Sequence, residues 1–326
     1  MLEITANEVF NIRNSKSFEK VALELFQYQA ENVSVYKEFI HHLGISVEQV
    51  DNIYDIPFLP IEFFKSRVVL DQNPDAITLV FSSSGTTGSI NSKHYVPEPI
   101  IYEQSFMNAF KAFYGAPSDY IFIALLPSYL EREGSSLIYM CDRLIKDSFD
   151  ERSGFYLNEF EKIKEIIENN HDKKIFLIGV TYALLDFAEQ LPFAMKNTIV
   201  LETGGMKGKR KELLRADVHQ ILTSAFQLNE IHSEYGMTEL LSQAYSKGHG
   251  IFECPSWMKV LIREIHDPLN YTSKRTGGIN IIDLANIHSC AFIATQDLGR
   301  KVSENEFEVL GRFDNSDIRG CNLLVS

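Results

Sequence analysis

The sequence is poor in cysteine and has no long apolar run. Its 326 residues include only four cysteines, none in a Cys-x-x-Cys pair, so neither a disulfide framework nor a four-cysteine zinc site is expected. The longest apolar stretch, 120–127, is too short to span a bilayer. The acidic N-terminus lacks the apolar region of a signal peptide. We therefore expect a cytoplasmic protein with no membrane span.

The chain also lacks an excess of positive charge. Its 31 Lys and Arg against 44 Asp and Glu give a net charge of −13, which argues against nucleic-acid binding, because that requires clustered positive charge. An anionic small ligand is not excluded, since local fields matter more than the total charge. Hydrophobic residues make up 45% of the chain, enough for a full core and against wholesale disorder.

Two catalytic signatures are missing: the Gly-Lys-Ser/Thr of a Walker loop and the Gly-x-Ser-x-Gly of a serine hydrolase. What stands out instead is Ser82–Gly88, seven consecutive residues that are all glycine or hydroxylated, after the apolar run 76–81. Glycines allow backbone N–H groups to turn toward an anion, and hydroxyls add donors without bulk. The run predicts a loop that can wrap a polyphosphate. The alternative is a flexible surface loop.

Strand-like and helix-like runs alternate from about residue 76 onward. The pattern predicts an α/β fold with mostly parallel sheets covered by helices, in which ligands sit at the carboxyl ends of the strands. The predicted strands are 76–81, 120–126, 174–180, 197–201 and 279–284. The predicted helices are 17–42, 99–113, 157–169, 181–190 and 209–226.

Two further motifs carry groups that suit a nucleotide. Tyr235-Gly236-Met237-Thr238-Glu239 offers a ring for stacking, a hydroxyl for a phosphate and a carboxylate for Mg²⁺; alone, it also fits a turn before a helix. Asp297 could accept hydrogen bonds from ribose hydroxyls and Arg312 could reinforce that contact, although each also fits a solvated salt bridge.

These motifs occur in the order seen in the acyl-adenylate-forming enzymes, and the chain resembles that superfamily over roughly residues 50–321. Within it, the chain resembles the acyl-protein synthetases of the LuxE type, and next the phenylacetate–CoA ligases. The segments that carry this narrower resemblance are 56–60, 126–132, 202–208 and 310–324.

The resemblance implies that most of these residues bind ATP. The pyrophosphate part would be held by Ser83, Ser84, Gly85, Thr86, Thr87 and Gly88. The adenine would lie against Gly204, Gly205, Tyr235 and Gly236. Thr238 would contact the α-phosphate, Glu239 would bind Mg²⁺, and Asp297 with Arg312 would hold the ribose.

The resemblance also implies a domain organisation. We expect a helical segment over 1–70 docked on the core, an α/β nucleotide- and acyl-binding core over 71–290, and a short β-rich ribose-binding region over 291–326. The fold would be the large N-terminal-type domain of adenylate-forming enzymes. The chain ends five residues after Cys321, so we expect the family's small C-terminal domain to be absent.

The resemblance predicts ATP-dependent activation of a small carboxylic acid, fatty or aromatic, as an acyl-adenylate. The acyl group would then pass to a thiol, Cys321 in Arg319-Gly320-Cys321 and then an acyl-accepting protein. A buried, inert Cys321 is the alternative reading of that residue. Two other functions stay open: a compact acyl- or aryl-CoA ligase, and a nucleotide-binding scaffold or inactive subunit.

Overall fold

A computed structural model of the chain describes residues 4–83, 90–126, 134–204, 210–211, 213–265, 267–272 and 275–313. The chain divides into two compact units. The first consists of Met1–Phe63, Val69–Gln72 and Ser256–Ser326, and the second of Phe64–Val68 and Asn73–Pro255. In the described ranges, every helix is too short or too polar to cross a membrane.

The described residues form nine α-helices and fourteen β-strands. The helices are α1 Ala6–Phe10, α2 Ser15–Asn32, α3 Ser34–Leu43, α4 Phe63–Ser66, α5 Pro99–Tyr114, α6 Ser136–Asp147, α7 Phe160–Asn169, α8 Thr181–Gln190 and α9 Arg215–Phe226. The strands are β1 Leu59–Pro60, β2 Leu79–Ser82, β3 Lys93–Val96, β4 Tyr120–Leu125, β5 Gly154–Phe155, β6 Lys174–Val180, β7 Thr198–Thr203, β8 His232–Tyr235, β9 Ala244–Ser246, β10 Ile251–Glu253, β11 Met258–Arg263, β12 Thr276–Asp283, β13 Phe292–Lys301 and β14 Glu306–Arg312.

The second unit contains a sheet in the order β10-β9-β8-β7-β6-β4-β5. The strands from β5 to β8 pair in parallel, whereas β8, β9 and β10 pair antiparallel. All of β4 and nearly all of β6 are buried, which explains their continuous apolar sequence, since parallel strands are covered on both faces. Strands β2 and β3 form a separate hairpin. The predicted α/β fold is confirmed.

The first unit contains the antiparallel sheet β11-β12-β13-β14, with β1 paired in parallel to β13. Helix α2 packs in this unit through a buried amide: Gln29 Nε2 donates to the carbonyls of Asn286 and Ile287, and its oxygen accepts from Ala291 N–H at 2.9 Å. The prediction of mostly parallel sheets therefore describes the second unit. In the first unit, strands that are consecutive in the sequence are joined by short connections and pair antiparallel. The three-segment division predicted from the sequence stays a prediction.

Candidate active site

The carboxyl ends of β7 and β8 bring two sequence motifs to one edge of the sheet. These strands are parallel and pair Glu202 with Ser233, so the residues that follow them, Gly204 and Gly236, leave the sheet at the edge where α/β folds bind ligands. Gly204 has a φ of 79°, in the left-handed region that favours glycine. Its predicted neighbour at the adenine, Gly205, lies outside the described residues.

The base of the predicted phosphate loop is closed by a reciprocal pair of hydrogen bonds. Ser83 N–H donates to the carbonyl of Ser92 at 3.1 Å, and Ser92 N–H donates to Ser83 Oγ at 2.9 Å. Ser83 therefore holds the two ends of the loop together. The rest of the predicted phosphate-binding set lies outside the described residues, namely Ser84, Gly85, Thr86, Thr87 and Gly88. Their role stays a prediction.

A buried histidine joins this hairpin to the Tyr235–Glu239 segment. His94 on β3 places Nδ1 3.0 Å from the carbonyl oxygen of Thr238, and its ring meets the edge of Phe64. Since a carbonyl only accepts, we assign the proton to Nδ1. Burial lowers the pKa of His94 to about 4, so the ring is neutral at pH 7. Sequence reasoning did not single out His94, because the contact spans 144 positions.

The Tyr235–Glu239 segment presents the groups that its pattern predicts. Tyr235 is buried, with its ring 5.8 Å from that of Phe252. Thr238 is half-buried and Glu239 is buried. A hydroxyl beside a carboxylate is a set of hard oxygen donors that fits Mg²⁺, which usually takes one or two carboxylates together with substrate phosphates. Within the described residues, no group of three or more His, Cys, Asp or Glu could hold a metal ion.

Glu202 is a buried carboxylate near the end of β7 that accepts hydrogen bonds from neighbouring elements beneath this edge. Its two oxygens accept from the hydroxyls of Ser233 at 2.8 Å and Thr181 at 2.9 Å, and Arg215 Nε lies 3.3 Å away. Burial acts to raise the pKa of Glu202, but His219, the charge of Arg215 and the two hydroxyls together lower it to about 2. The ionised group therefore links β7 and β8 to the first residues of α8 and α9.

In the first unit, Asp297 and Arg312 lie side by side. They are directly opposite residues of β13 and β14, and Arg312 Nε is 3.4 Å from Asp297 Oδ1. The Arg312 side chain is 82% exposed, whereas that of Asp297 is 10% exposed. The structure thus brings together the two residues predicted for the ribose, 15 positions apart in sequence. Their role in binding it stays a prediction.

The cysteines of the described residues differ in burial. Cys141 and Cys290 are buried. Burial raises the pKa of both thiols, to about 12 for Cys290, which disfavours the nucleophilic thiolate. Cys254 is half-buried. The predicted acyl acceptor, Cys321, lies outside the described residues.

Comparison with known proteins found a relative that aligns with nearly the whole chain. No protein-family model matches. The chain is 24% identical, over 339 aligned residues, to the long-chain-fatty-acid–luciferin-component ligase of Vibrio harveyi; the alignment covers 92% of this chain and 85% of that protein. The resemblance stated from the motifs is confirmed.

Solved structures show the same fold. A 2-hydroxyisobutyryl-CoA ligase in complex with an acyl-AMP matches with a TM-score of 0.68 at 11% identity, over 92% of this chain and 68% of that one. ATP-bound MatB from Rhodopseudomonas palustris matches with a TM-score of 0.53 at 16% identity, over 74% of this chain and 49% of that one. The chain has the fold of the acyl-adenylate-forming ligases.

Proposed function

We propose that the chain is an ATP-dependent ligase that activates a carboxylic acid as an acyl-adenylate and passes the acyl group to a thiol. The observation that carries the proposal is the hydrogen bond from His94 to the Thr238 carbonyl. It joins the hairpin that bears the phosphate-loop motif to the segment that bears the α-phosphate and Mg²⁺ motif. Two motifs that the resemblance assigns to one nucleotide are therefore held to each other within one unit.

The first half-reaction is in-line attack on ATP. A carboxylate oxygen of the acid forms a bond to the α-phosphorus, the bond from that phosphorus to the bridging oxygen breaks, and pyrophosphate leaves with the electron pair. Tyr235 would stack on the adenine, and the Thr238 hydroxyl would donate to the α-phosphate. Glu239 would hold Mg²⁺, which when bound supplies positive charge against the phosphates. Catalysis then consists of positioning and of neutralising charge on the transferred group.

The second half-reaction moves the acyl group to sulfur. A thiolate attacks the acyl carbonyl, the carbon–sulfur bond forms, and AMP leaves with the electrons of the broken anhydride bond. The buried thiols of Cys141 and Cys290 are poor candidates because their pKa values are raised. Cys321 is our proposed acceptor, with a partner protein next in the sequence of transfers. The acid is proposed to be fatty or aromatic, and we expect the reaction in the cytoplasm.

Intact-mass measurement tests both halves. The protein is incubated with ATP, Mg²⁺ and a panel of fatty and aromatic acids, and pyrophosphate release is followed in parallel. We expect release that depends on the acid, and an acyl adduct that is lost in Cys321→Ser but kept in the matched Cys254→Ser variant. An adduct undiminished in Cys321→Ser rules out transfer through that thiol.

Two outcomes would select the other functions. Thioester formation on free CoA that is unaffected by Cys321→Ser would indicate a compact CoA ligase. Calorimetric binding of ATP without acid-dependent pyrophosphate release, whatever the acid, would indicate a nucleotide-binding scaffold and overturn the proposed ligase.

A further inference from the structure

The strand that bears Asp297 carries a bulge at that residue. The register between β12 and β13 shifts at this point, between the pairs Asn280–Ala294 and Gly278–Leu298. The β13 residues 295–297 therefore stand opposite Ile279 alone, and we call these residues the β13 bulge. A bulge interrupts the ladder of hydrogen bonds, and it often re-aims a side chain beside an active site. The direction in which Asp297 is presented thus depends on what holds the β13 bulge.

Side-chain hydrogen bonds hold the backbone of the β13 bulge. The carbonyl of Thr295 accepts from Arg263 Nη2 at 2.7 Å. The hydroxyl of Thr295 accepts from Asp297 N–H at 3.1 Å and donates to the carbonyl of Ile279 at 2.9 Å. Because buried backbone groups need such partners, these bonds fix the path of the chain into Asp297.

Arg263 reaches the β13 bulge from β11, across the intervening strand β12. It is 8% exposed, and its Nη1 donates to the Ile279 carbonyl at 2.8 Å and to Asn280 Oδ1 at 3.1 Å. Gly278 lies directly opposite Arg263 on β12, and a Cβ atom added there would lie 2.5 Å from Arg263 Cζ. Glycine at 278 therefore leaves the guanidinium its path to β13.

The same guanidinium contacts the residue that follows β14. Arg263 Cζ lies 5.5 Å from the centre of the Phe313 ring, within the range of a cation–π interaction. The backbone N–H of Phe313 donates to the carbonyl of Gln296, inside the β13 bulge, at 2.8 Å. Phe313 comes directly after Arg312, the cross-strand partner of Asp297. Arg263 therefore contacts the backbone on both sides of the residue pair predicted for the ribose.

A guanidinium suits this place because it is planar and permanently charged. Its N–H groups form a fixed fork, so the one side chain of Arg263 orders acceptors on β12 and β13 together. A lysine ammonium is a compact point charge on a flexible stem and does not reproduce that geometry. The shape of the side chain at position 263, as well as its charge, therefore determines how the β13 bulge is held.

We propose that Arg263 is a positioning residue for the nucleotide: it holds the β13 bulge so that the Asp297 carboxylate faces the ribose hydroxyls. The inference rests on the proposed function, through the role predicted for Asp297. Arg263 acts through Asp297 rather than on the nucleotide. Thr295 takes part in the same task, because its hydroxyl joins the backbone of Asp297 to β12.

Calorimetric Kd values for ATP and 2′-deoxy-ATP, measured with Mg²⁺, test the inference, because their ratio reports the contact with the ribose 2′-hydroxyl. The variants are Arg263→Met, Arg263→Lys and Thr295→Val, and the control is Gln29→Met. Gln29 is a buried side chain of the same unit that, like Arg263, makes three hydrogen bonds, but to residues outside the β13 bulge. We expect the wild type and the control to bind ATP more tightly than 2′-deoxy-ATP by about 10- to 100-fold.

The variants should lose that discrimination. In Arg263→Met and Thr295→Val the ratio should fall toward unity as the Kd for ATP rises, and Arg263→Lys should recover only part of it. If Arg263→Met does not fold, Thr295→Val, which keeps the side-chain volume, carries the same comparison. The double variant Arg263→Met/Asp297→Asn should show the ratio of Asp297→Asn alone, because residues that act through one contact are not additive.

Three results would overturn the inference: equal binding of the two nucleotides by the wild type, a wild-type ratio retained in Thr295→Val and in folded Arg263→Met, or an equal loss in Gln29→Met. These measurements need no turnover of an acid. The expected ratios without acid-dependent pyrophosphate release would therefore remove the ligase proposal and leave this inference standing.

Discussion

The Nδ1 atom of His94 lies 3.0 Å from the carbonyl oxygen of Thr238. The histidine is buried, and the bond spans 144 sequence positions. It fixes the backbone at Thr238, whose hydroxyl we propose for the α-phosphate, relative to the hairpin that bears the phosphate-loop motif. Because a buried carbonyl without a donor is unfavourable, this bond stabilises one arrangement of the two motifs over the alternatives.

Replacing His94 with Phe should keep the ring volume but remove the donor. The carbonyl of the half-buried Thr238 would then lose this donor, so we expect a loss of about 1–3 kcal/mol in the free energy of unfolding. The KM for ATP should also rise, because Thr238 is no longer held. Denaturant unfolding and pyrophosphate-release kinetics measure the two effects.

The control for His94 is Ser153→Ala, which removes a partly buried hydrogen bond that Ser153 Oγ accepts from Phe122 N–H, far from the motifs in sequence. It should lower stability without changing the KM for ATP. His94→Gln, which retains a side-chain donor, should recover part of the lost affinity. An unchanged KM in His94→Phe would show that the bond is structural only.

The buried parallel strands could be predicted almost to the residue. Strand β6 runs over Lys174–Val180, the predicted range, because a continuous apolar run bounded by polar residues reports burial on both faces. The predicted helix 17–42 is instead two helices, α2 and α3, separated at Val33, which has a φ of −90° and a ψ of 100°. No glycine or proline marks that break, so the local sequence gave no sign of it.

Some of the candidate site residues could likewise be predicted from the sequence, and others could not. Tyr235, Thr238 and Glu239 could be proposed from one contiguous motif, and the structure places Tyr235 at the end of β8 and the other two just after it, at the edge that the alternation predicted. His94 could not, because it is a single polar residue in an ordinary strand pattern and its importance depends on a contact distant in sequence.

Glu239→Gln should weaken the use of Mg²⁺. The amide keeps the shape of the side chain but lacks the charge that attracts a hard divalent cation. We expect the Mg²⁺ concentration needed for half-maximal pyrophosphate release to rise about tenfold or more. Even the loss of a residue that only supports a metal ligand lowers metal affinity about 10–100-fold. Removing the metal with EDTA should abolish release in the wild type. The exposed control Glu230→Gln should titrate with Mg²⁺ as the wild type does; equal titrations for all three proteins would argue against Glu239 as the ligand.

Asp297→Asn should reduce the discrimination between ATP and 2′-deoxy-ATP and raise the KM for ATP. A carboxylate accepts hydrogen bonds from ribose hydroxyls more strongly than a neutral amide does.

The Arg312 side chain is 82% exposed, and such ion pairs contribute less than about 1 kcal/mol, so Arg312→Ala should leave the unfolding free energy nearly unchanged while raising the KM for ATP. The matched control is Arg300→Ala, which breaks the exposed pair with Glu308 on the same two strands. If it raised the KM equally, the ribose assignment would be wrong.

Glu202 should make the protein sensitive to acid. Its pKa is about 2 in the folded chain against an ordinary value of 4.5, so the unfolded state binds the proton more readily. The stabilisation is present in full above about pH 4.5, and it is lost as the pH falls from there toward 2. The shift corresponds to about 3 kcal/mol.

Glu202→Gln removes the titrating group and leaves the charge of Arg215 without its carboxylate, so at pH 7 we expect a loss of about 3 kcal/mol or more. Below pH 4.5 the wild type should lose stability faster than the variant, and the two unfolding curves should approach each other as the pH falls toward 2. Denaturant titrations at closely spaced pH values measure that convergence, with the exposed Glu253→Gln variant as the control expected to follow the wild type. Parallel pH profiles for wild type and Glu202→Gln would mean that the carboxylate is not held ionised by Thr181, Ser233 and Arg215, and that the strand ends beneath the candidate site are joined by other forces.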